Sequence, residues 1–211
     1  GVTTLTEPEA AAIHYASLER VDPGSVIAVY DLGGGTFDAA VLRKTADGWQ
    51  MLGEPEGIER LGGIDFDEAV FRHVAASVGQ AFDALDPDDT AAQAALVRLR
   101  QDCITGKEAL SEDTDTTIPV LLPSLQTDVR LTRVEFEQMI RPPLLESISA
   151  LERALRLADT APEDLTAVLL VGGSSRIPLV AQLVGAELDR PVAIDAHPKH
   201  GMASGAAIIA A

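Results

Sequence analysis

The stretch Asp31-Leu32-Gly33-Gly34-Gly35-Thr36-Phe37-Asp38 decides how the rest of the chain is read. Before it, residues 25–30 form a short apolar run with β-branched members, the pattern of a buried strand. After it, residues 37–43 repeat that pattern, and the three glycines between them allow a tight reversal. Consecutive glycines also let backbone come close to a bulky anion with N–H groups aimed at its oxygens. Thr36 adds a hydroxyl at the same rim. Asp31 and Asp38 frame the turn symmetrically, at the end of one strand and the start of the next. A solvated glycine turn has no need of acids there. Two carboxylates beside an anion cradle make chemical sense when a cation lies between, and Mg²⁺, which keeps several waters, suits such a pair.

Working outward, residues 9–20 read as a helix stopped by Asp22-Pro23-Gly24. Asp47-Gly48 marks a second hairpin, and residues 49–53 a third strand, completing an antiparallel meander. From Leu61-Gly62-Gly63 the pattern changes. A helix is predicted over 66–82, and Asp86-Pro87-Asp88-Asp89 caps another that runs to about residue 110. Short strands follow at 116–122 and 129–131. Thr132-Arg133-Val134-Glu135 fits a capping box. Arg141-Pro142-Pro143 is expected to interrupt that helix, which resumes over 144–158 with Leu145, Ile148, Leu151 and Leu155 on one side. Glu152 and Arg156 supply an i,i+4 pair. Residues 167–171 are an apolar strand ending in Gly172-Gly173, with a helix starting at Ser175 or Arg176 and a last helix over 200–211. The outline is an α/β core with an inserted smaller α+β unit. Residues 1–23 carry the first helix, 24–60 and 141–211 form the core, and 61–140 form the insertion.

Two further stretches carry chemistry. Gly172-Gly173-Ser174-Ser175-Arg176-Ile177-Pro178 lies where an apolar strand hands over to a helix, the end of an α/β sheet that ligands favour. By itself it reads equally well as a loop. On the helix ending near residue 110, Leu96, Leu99, Cys103 and Leu110 form an apolar stripe, with Ile104, Lys107, Glu108 and Ser111 on a neighbouring arc. A solvated helix face accounts for Lys107 and Glu108 without a ligand.

Composition narrows the classes. Of 211 residues 46% are apolar, enough for a substantial core, and 33 acids against 16 bases give a net charge of −17. Such a surface repels phosphate backbones, so nucleic acid is not an expected partner. The acidity by itself needs no explanation beyond solubility. The single cysteine, Cys103, allows no intrachain disulfide and fits the apolar stripe as a core residue. No apolar run approaches the ~20 residues of a membrane span. His197 and His200 bracket Pro198-Lys199 without further zinc ligands nearby. Gly1 opens directly into a patterned segment, so a piece of a longer protein is expected, cytoplasmic by default.

Together, TEPEAAAIHYA, DLGGGTFD, LGGIDFD, LRQDCITGKEALS, LTRVEFE, VGGSSRIP and GMASGAA resemble the ATPase domain of the heat-shock-70 (DnaK-type) chaperone family along the whole chain. Actin, bacterial filament proteins and sugar kinases share versions of the first and last motifs. The FD after GGGT, combined with LGGIDFD, separates the chaperones from them. The resemblance implies an actin-like (ribonuclease H-like) ATPase core, and specifically the second lobe of a two-lobed domain. It implies that Gly33, Gly34, Gly35 and Thr36 hold the β- and γ-phosphates of ATP or ADP. Asp31 would orient the attacking water or the metal's shell, and Asp38 would bind Mg²⁺ through water. Glu7 matches the family's glutamate near the γ-phosphate. Gly172, Gly173, Ser174, Arg176 and Ile177 would line one side of the adenosine pocket, with Lys107 and Ser111 on the other.

Three positions depart from the family pattern, all on the nucleoside side. Ile104 replaces a glutamate, Glu108 stands near a usual arginine, and Lys199 replaces an acid. The first phosphate loop and its lysine, which the family carries on the opposite lobe, and the peptide-binding domain are not among these residues. The isolated chain is therefore expected to fold, to bind ATP weakly or not at all, and to hydrolyse none. Small residues in 9–16 and 201–211 suit two helices that cross closely between lobes. Expected partners are ATP, the first lobe, a peptide-binding domain and co-chaperones or an exchange factor. No membrane partner is expected, and the protein is expected to be a monomer. The rival readings are a degenerate nucleotide-binding or regulatory scaffold and an actin-like filament protein.

Overall fold

The triple-glycine turn joins the first two strands of a five-stranded sheet in the computed structural model, which describes residues 6–194. The chain divides into two compact units, residues 1–63 with 143–211, and residues 64–142. The last helix read from sequence, together with His197, Lys199 and His200, lies outside the described residues.

In the first unit the strands run in the order β3-β2-β1-β6-β7. β1 (Val26–Leu32), β2 (Thr36–Lys44) and β3 (Trp49–Glu59) are the antiparallel meander. β6 (Leu165–Val171) pairs parallel with β1, and β7 (Val192–Ile194) with β6. Successive residues of β1 face opposite sides of the sheet. Ile27 and Val29 pack with Ala11 and Ala12 of helix α1 (Glu7–Leu18). Tyr30 points the other way, to Ser147 of helix α5 (Arg133–Leu157).

Two differences from the sequence reading place the site. Helix α1 begins at Glu7, not residue 9, because Glu9 reaches back to accept from the Thr6 N–H at 2.9 Å and hydroxyl at 2.7 Å. Glu7 thereby joins the first turn. Strand β3 runs six residues past the predicted end, through Gly53 at φ +63° and Pro55, with an irregular register between Val41↔Leu52 and Ala39↔Glu56. An edge strand tolerates both a proline and a bulge. Its final pair, Glu59↔Thr36, delivers Leu61-Gly62-Gly63 to the glycine turn.

Helix α5 is continuous through Pro142 and Pro143, where a break was expected. The prolines remove the N–H groups that would bond the carbonyls of Gln138 and Met139. Buried Phe136, Ile140, Leu144, Ile148, Leu151 and Leu155 keep helical spacing on both sides and offset that loss. Leu144 takes the inward position that the sequence reading gave to Leu145, which is 48% exposed. The ion pair this helix makes among the described residues is Arg153–Glu56 at 2.8 Å, not Glu152–Arg156.

Ser147 Oγ donates to the Leu144 carbonyl at 2.6 Å, so it accepts from the Tyr30 hydroxyl at 2.5 Å. Burial pushes the Tyr30 phenol up to about 12, partly offset by Ser147. Tyr30→Phe is expected to lower stability by about 1 kcal/mol, the worth of one buried hydrogen bond. Urea denaturation of the chain checks this, and an unchanged midpoint would mean that the bond contributes nothing net.

The second unit holds α2 (Gly63–Val78), α3 (Gln80–Asp83), α4 (Thr90–Ala109) and the hairpin β4 (Asp115–Leu122) and β5 (Leu125–Thr132). The single helix read over 66–82 is broken at Gly79, φ +46°. Asp89 caps α4, accepting from the Ala91 N–H at 3.0 Å. Leu99, Cys103 and Leu110 are buried, as the stripe requires, and Gly106 joins them. A Cβ on Gly106 would lie 2.9 Å from Ile118 Cγ1, so glycine lets α4 seat directly on β4. The hydroxyl and carboxylate of the Thr132–Glu135 box bond reciprocally, Glu135 N–H to Thr132 Oγ1 at 3.2 Å and Thr132 N–H to Glu135 Oε2 at 2.8 Å.

Candidate functional site

The two aspartates of the opening motif stand directly opposite one another in the β1–β2 ladder, Asp31↔Asp38. Opposed residues of an antiparallel pair share a face. That face is the one covered by α1, since Asp31 alternates with Val29 and Ile27. Glu7 in the first turn of α1 acts on the same point. Burial first, and then the neighbouring charges of Glu7 and Asp38, together raise the Asp31 carboxyl from 3.8 to about 6. Gly57 faces Asp38 across the β2–β3 ladder, where a Cβ would come 3.0 Å from Asp38 Oδ1.

The turn itself is open. Gly34, Thr36 and Asp38 are exposed, and a Cβ on Gly34 would meet nothing within 4 Å. Its inner side is built by two other glycine pairs. Gly63 N–H donates to the Gly33 carbonyl at 3.1 Å, and Ser174 Oγ donates to the same oxygen at 2.9 Å. A Cβ on Gly62 would lie 2.6 Å from both Gly34 C and Gly35 N. One on Gly172, φ +85°, would lie 2.6 Å from Asp31 Oδ1 and closer still to the Leu32 carbonyl oxygen. Both glycines are thus required by close backbone approach.

Gly173–Arg176 is a 3-10 turn rather than the start of a helix, and α6 (Pro178–Leu188) begins at Pro178, whose fixed φ suits a first helical turn. Ser174 and Ser175 are buried, with Ser175 Oγ bonded to the Val171 carbonyl. Arg176 is exposed, whereas Ile177 is only 6% exposed and belongs to the core. Lys107 and Ser111 belong to the unit of residues 64–142. There Lys107 Nζ lies 2.7 Å from Asp67 Oδ1, both side chains being largely buried. Burial pushes the Cys103 thiol up to about 12, with Asp102 adding to it, so Cys103 is an inert core group.

Sequence reasoning gave Gly62, Gly63 and Asp67 no role, although LGGIDFD was singled out. The repeated glycine pair was the available signal, but what it touches is a matter of tertiary contact.

The carboxylates fit a magnesium ion. A partly buried acid already pressed by two like charges would be relieved by a cation, and Asp31 and Asp38 lie side by side on one face of the sheet. Among the described residues no group of three or more His, Cys, Asp or Glu is disposed to hold a metal. Mg²⁺ commonly takes one or two carboxylates and completes its shell with water and phosphate oxygens.

A mixed sheet whose first hairpin presents an open glycine turn and paired acids, with a smaller α+β unit inserted, defines an α/β core of the actin-like ATPase type. The family model described as Hsp70 protein matches residues 2–211. Over 97% of the chain it is 39% identical to a chaperone protein HscA homolog of Azotobacter vinelandii and 37% to one of Burkholderia mallei. Identity to that of Pseudomonas putida is 40% over the same share. The chain belongs to the Hsp70 family, a family of chaperone ATPases. These relatives carry the HscA name, so the DnaK branch is not singled out. The chain spans about a third of their length, 31–32%. No helix among the described residues is long and apolar enough to cross a membrane.

Proposed function

We propose that this chain is the second lobe of an Hsp70-type ATPase domain and contributes its half of a Mg-ATP site. The two units correspond in this reading to the two subdomains of that lobe, and α1 to the helix that leads in from the first lobe. The observation that carries it is the facing pair Asp31 and Asp38 at the mouth of an open glycine turn.

In this reading Gly33, Gly34, Gly35 and Thr36 bind the β- and γ-phosphates through backbone N–H groups and the Thr36 hydroxyl. Asp31 accepts a hydrogen bond from the attacking water and orients it, with Glu7 beside it. Asp38 and Asp31 hold the water shell of magnesium. Magnesium, when bound there, would supply neutralisation of the charge on the phosphates. Catalysis of this kind is positioning and charge stabilisation, so the chain's part is to fix donors and acceptors in place. Gly172, Gly173, Arg176 and Ile177, and Lys107 and Ser111, are assigned to the nucleoside by their place in the family motifs. In the whole protein the hydrolysis would control a polypeptide-binding domain, with co-chaperones as partners in a cytoplasmic setting.

The full-length protein is expected to hydrolyse ATP, and the 211-residue chain alone to show no turnover and weak or no ATP binding. Turnover by the chain alone would refute the single-lobe assignment. Tight ATP binding without hydrolysis by the full-length protein would favour a regulatory scaffold instead, the reading that Ile104, Glu108 and Lys199 suggest.

A further inference from the structure

The Gly33 carbonyl accepts two hydrogen bonds on its inner side, from Ser174 Oγ at 2.9 Å and from Gly63 N–H at 3.1 Å. A carbonyl oxygen has two lone pairs, so both are engaged. Its peptide unit is planar and trans, which places the C=O of Gly33 and the N–H of Gly34 on opposite sides of one rigid plate. Pinning the oxygen inward therefore aims the Gly34 N–H outward. Gly34 is exposed with open space around it, and no protein acceptor among the described residues takes its N–H. Ser174, by contrast, is buried and held between Gly172, which abuts Asp31 and Leu32, and Ser175, which is tied to Val171. A buried hydroxyl on a braced turn is a rigid anchor. Held by the Gly63 N–H alone, this glycine peptide would flip more readily, since glycine accepts either sign of φ.

We infer that Ser174 is a positioning residue of the phosphate turn, which through the Gly33 carbonyl holds the Gly34 N–H preorganised as a donor to a phosphate oxygen. Its hydroxyl serves the polyphosphate end of the ligand rather than the nucleoside. This rests on the proposed reading of the turn as a phosphate site. Preorganised donors are what make such cradles effective, because no reorganisation accompanies the reaction.

The test uses the full-length protein with selectively ¹⁵N-labelled glycine, and magnesium pyrophosphate as a probe that lacks any nucleoside. Pyrophosphate is expected to shift the Gly34 amide resonance. Ser174→Ala is expected to weaken pyrophosphate about tenfold and to lower kcat for ATP by a similar factor, with adenosine affinity changed by less than about twofold. Ser174→Thr, which keeps the hydroxyl, is expected to restore both. A Ser174→Ala protein that binds pyrophosphate normally but loses adenosine overturns the inference. So does a Gly34 resonance that pyrophosphate leaves unmoved in a protein that hydrolyses ATP, and in that case the proposed function stands. Failure to bind pyrophosphate together with failure to hydrolyse ATP removes both. The Gly34 resonance needs no substitution, so it decides the matter even if the alanine variant does not fold.

Discussion

Asp31→Asn is expected to make the chain more stable at neutral pH while cutting ATP hydrolysis by the full-length protein by about 100-fold or more, the scale of losing a positioned charge at a reacting centre. The stability half follows from linkage. Asp31 titrates at about 6 in the folded chain against an ordinary 3.8, with burial the first cause and the charges of Glu7 and Asp38 the next. The folded state therefore holds this proton more tightly than the unfolded state does. The contribution of this group to stability is then greatest below about pH 4 and falls as pH rises toward 6, where the partly buried carboxyl must ionise. At pH 7 the ionised group costs the fold on the order of 1–3 kcal/mol. Asparagine keeps the shape and carries no charge, so that cost disappears.

Urea denaturation of the nucleotide-free chain at pH 7 and at pH 4 checks the sign. The gap between Asp31→Asn and the unsubstituted chain should be largest at pH 7 and close toward pH 4. A gap of constant size would show that the effect is packing and not titration. Full hydrolysis by the asparagine variant would remove Asp31 from the mechanism. An acid that opposes folding in this way supports the role proposed for Asp31, since stability alone favours its neutral analogue.

Gly172→Ala is the second large effect, and Gly173→Ala is its control one residue away. Gly172 sits at φ +85° and ψ 154°, a region that is essentially closed to residues with a side chain. A Cβ there would also lie 2.6 Å from the Leu32 carbonyl carbon and closer still to its oxygen, backbone atoms that cannot swing aside. Backbone strain and collision add, so a loss of about 3 kcal/mol or more is expected. Gly173 meets nothing within 4 Å. Its substitution should change stability by less than about 1 kcal/mol. Thermal unfolding of the two variants gives the comparison directly. Equal losses would mean that the close approach of this turn to Asp31 is wrong. Because the collision displaces Asp31 and Leu32, the Gly172 variant should also lose any phosphate binding that survives folding.

Much of the site was legible in the residues. A two-strand pattern around three glycines, with one acid at the end of the first strand and another at the start of the second, already implied that Asp31 and Asp38 would lie on one face, because hairpin register follows from loop length and side chains alternate with a period of two. The Thr132–Glu135 box and the Asp89 cap were legible for the same reason, as both are contacts within a few residues. The break that Pro142-Pro143 predicts does not occur, because burial of Ile140 and Leu144 on either side outweighs the local preference. Leu145 was placed inward on the same local reasoning.

What sequence determined by itself was the family, through the resemblance of its motifs, and the meander with its glycine turn and the opposed acids, which spacing along the chain sets. Tertiary structure alone decided that Gly62, Gly63, Gly172 and Ser174 close on the back of that turn, and that Glu7 acts on Asp31. Ser174 and Gly33 lie 141 positions apart. No local rule of propensity or period links residues at that distance. Only the parallel pairing of β6 with β1 brings their ends together, and with them the donors, acceptors and charges that give the turn its chemistry.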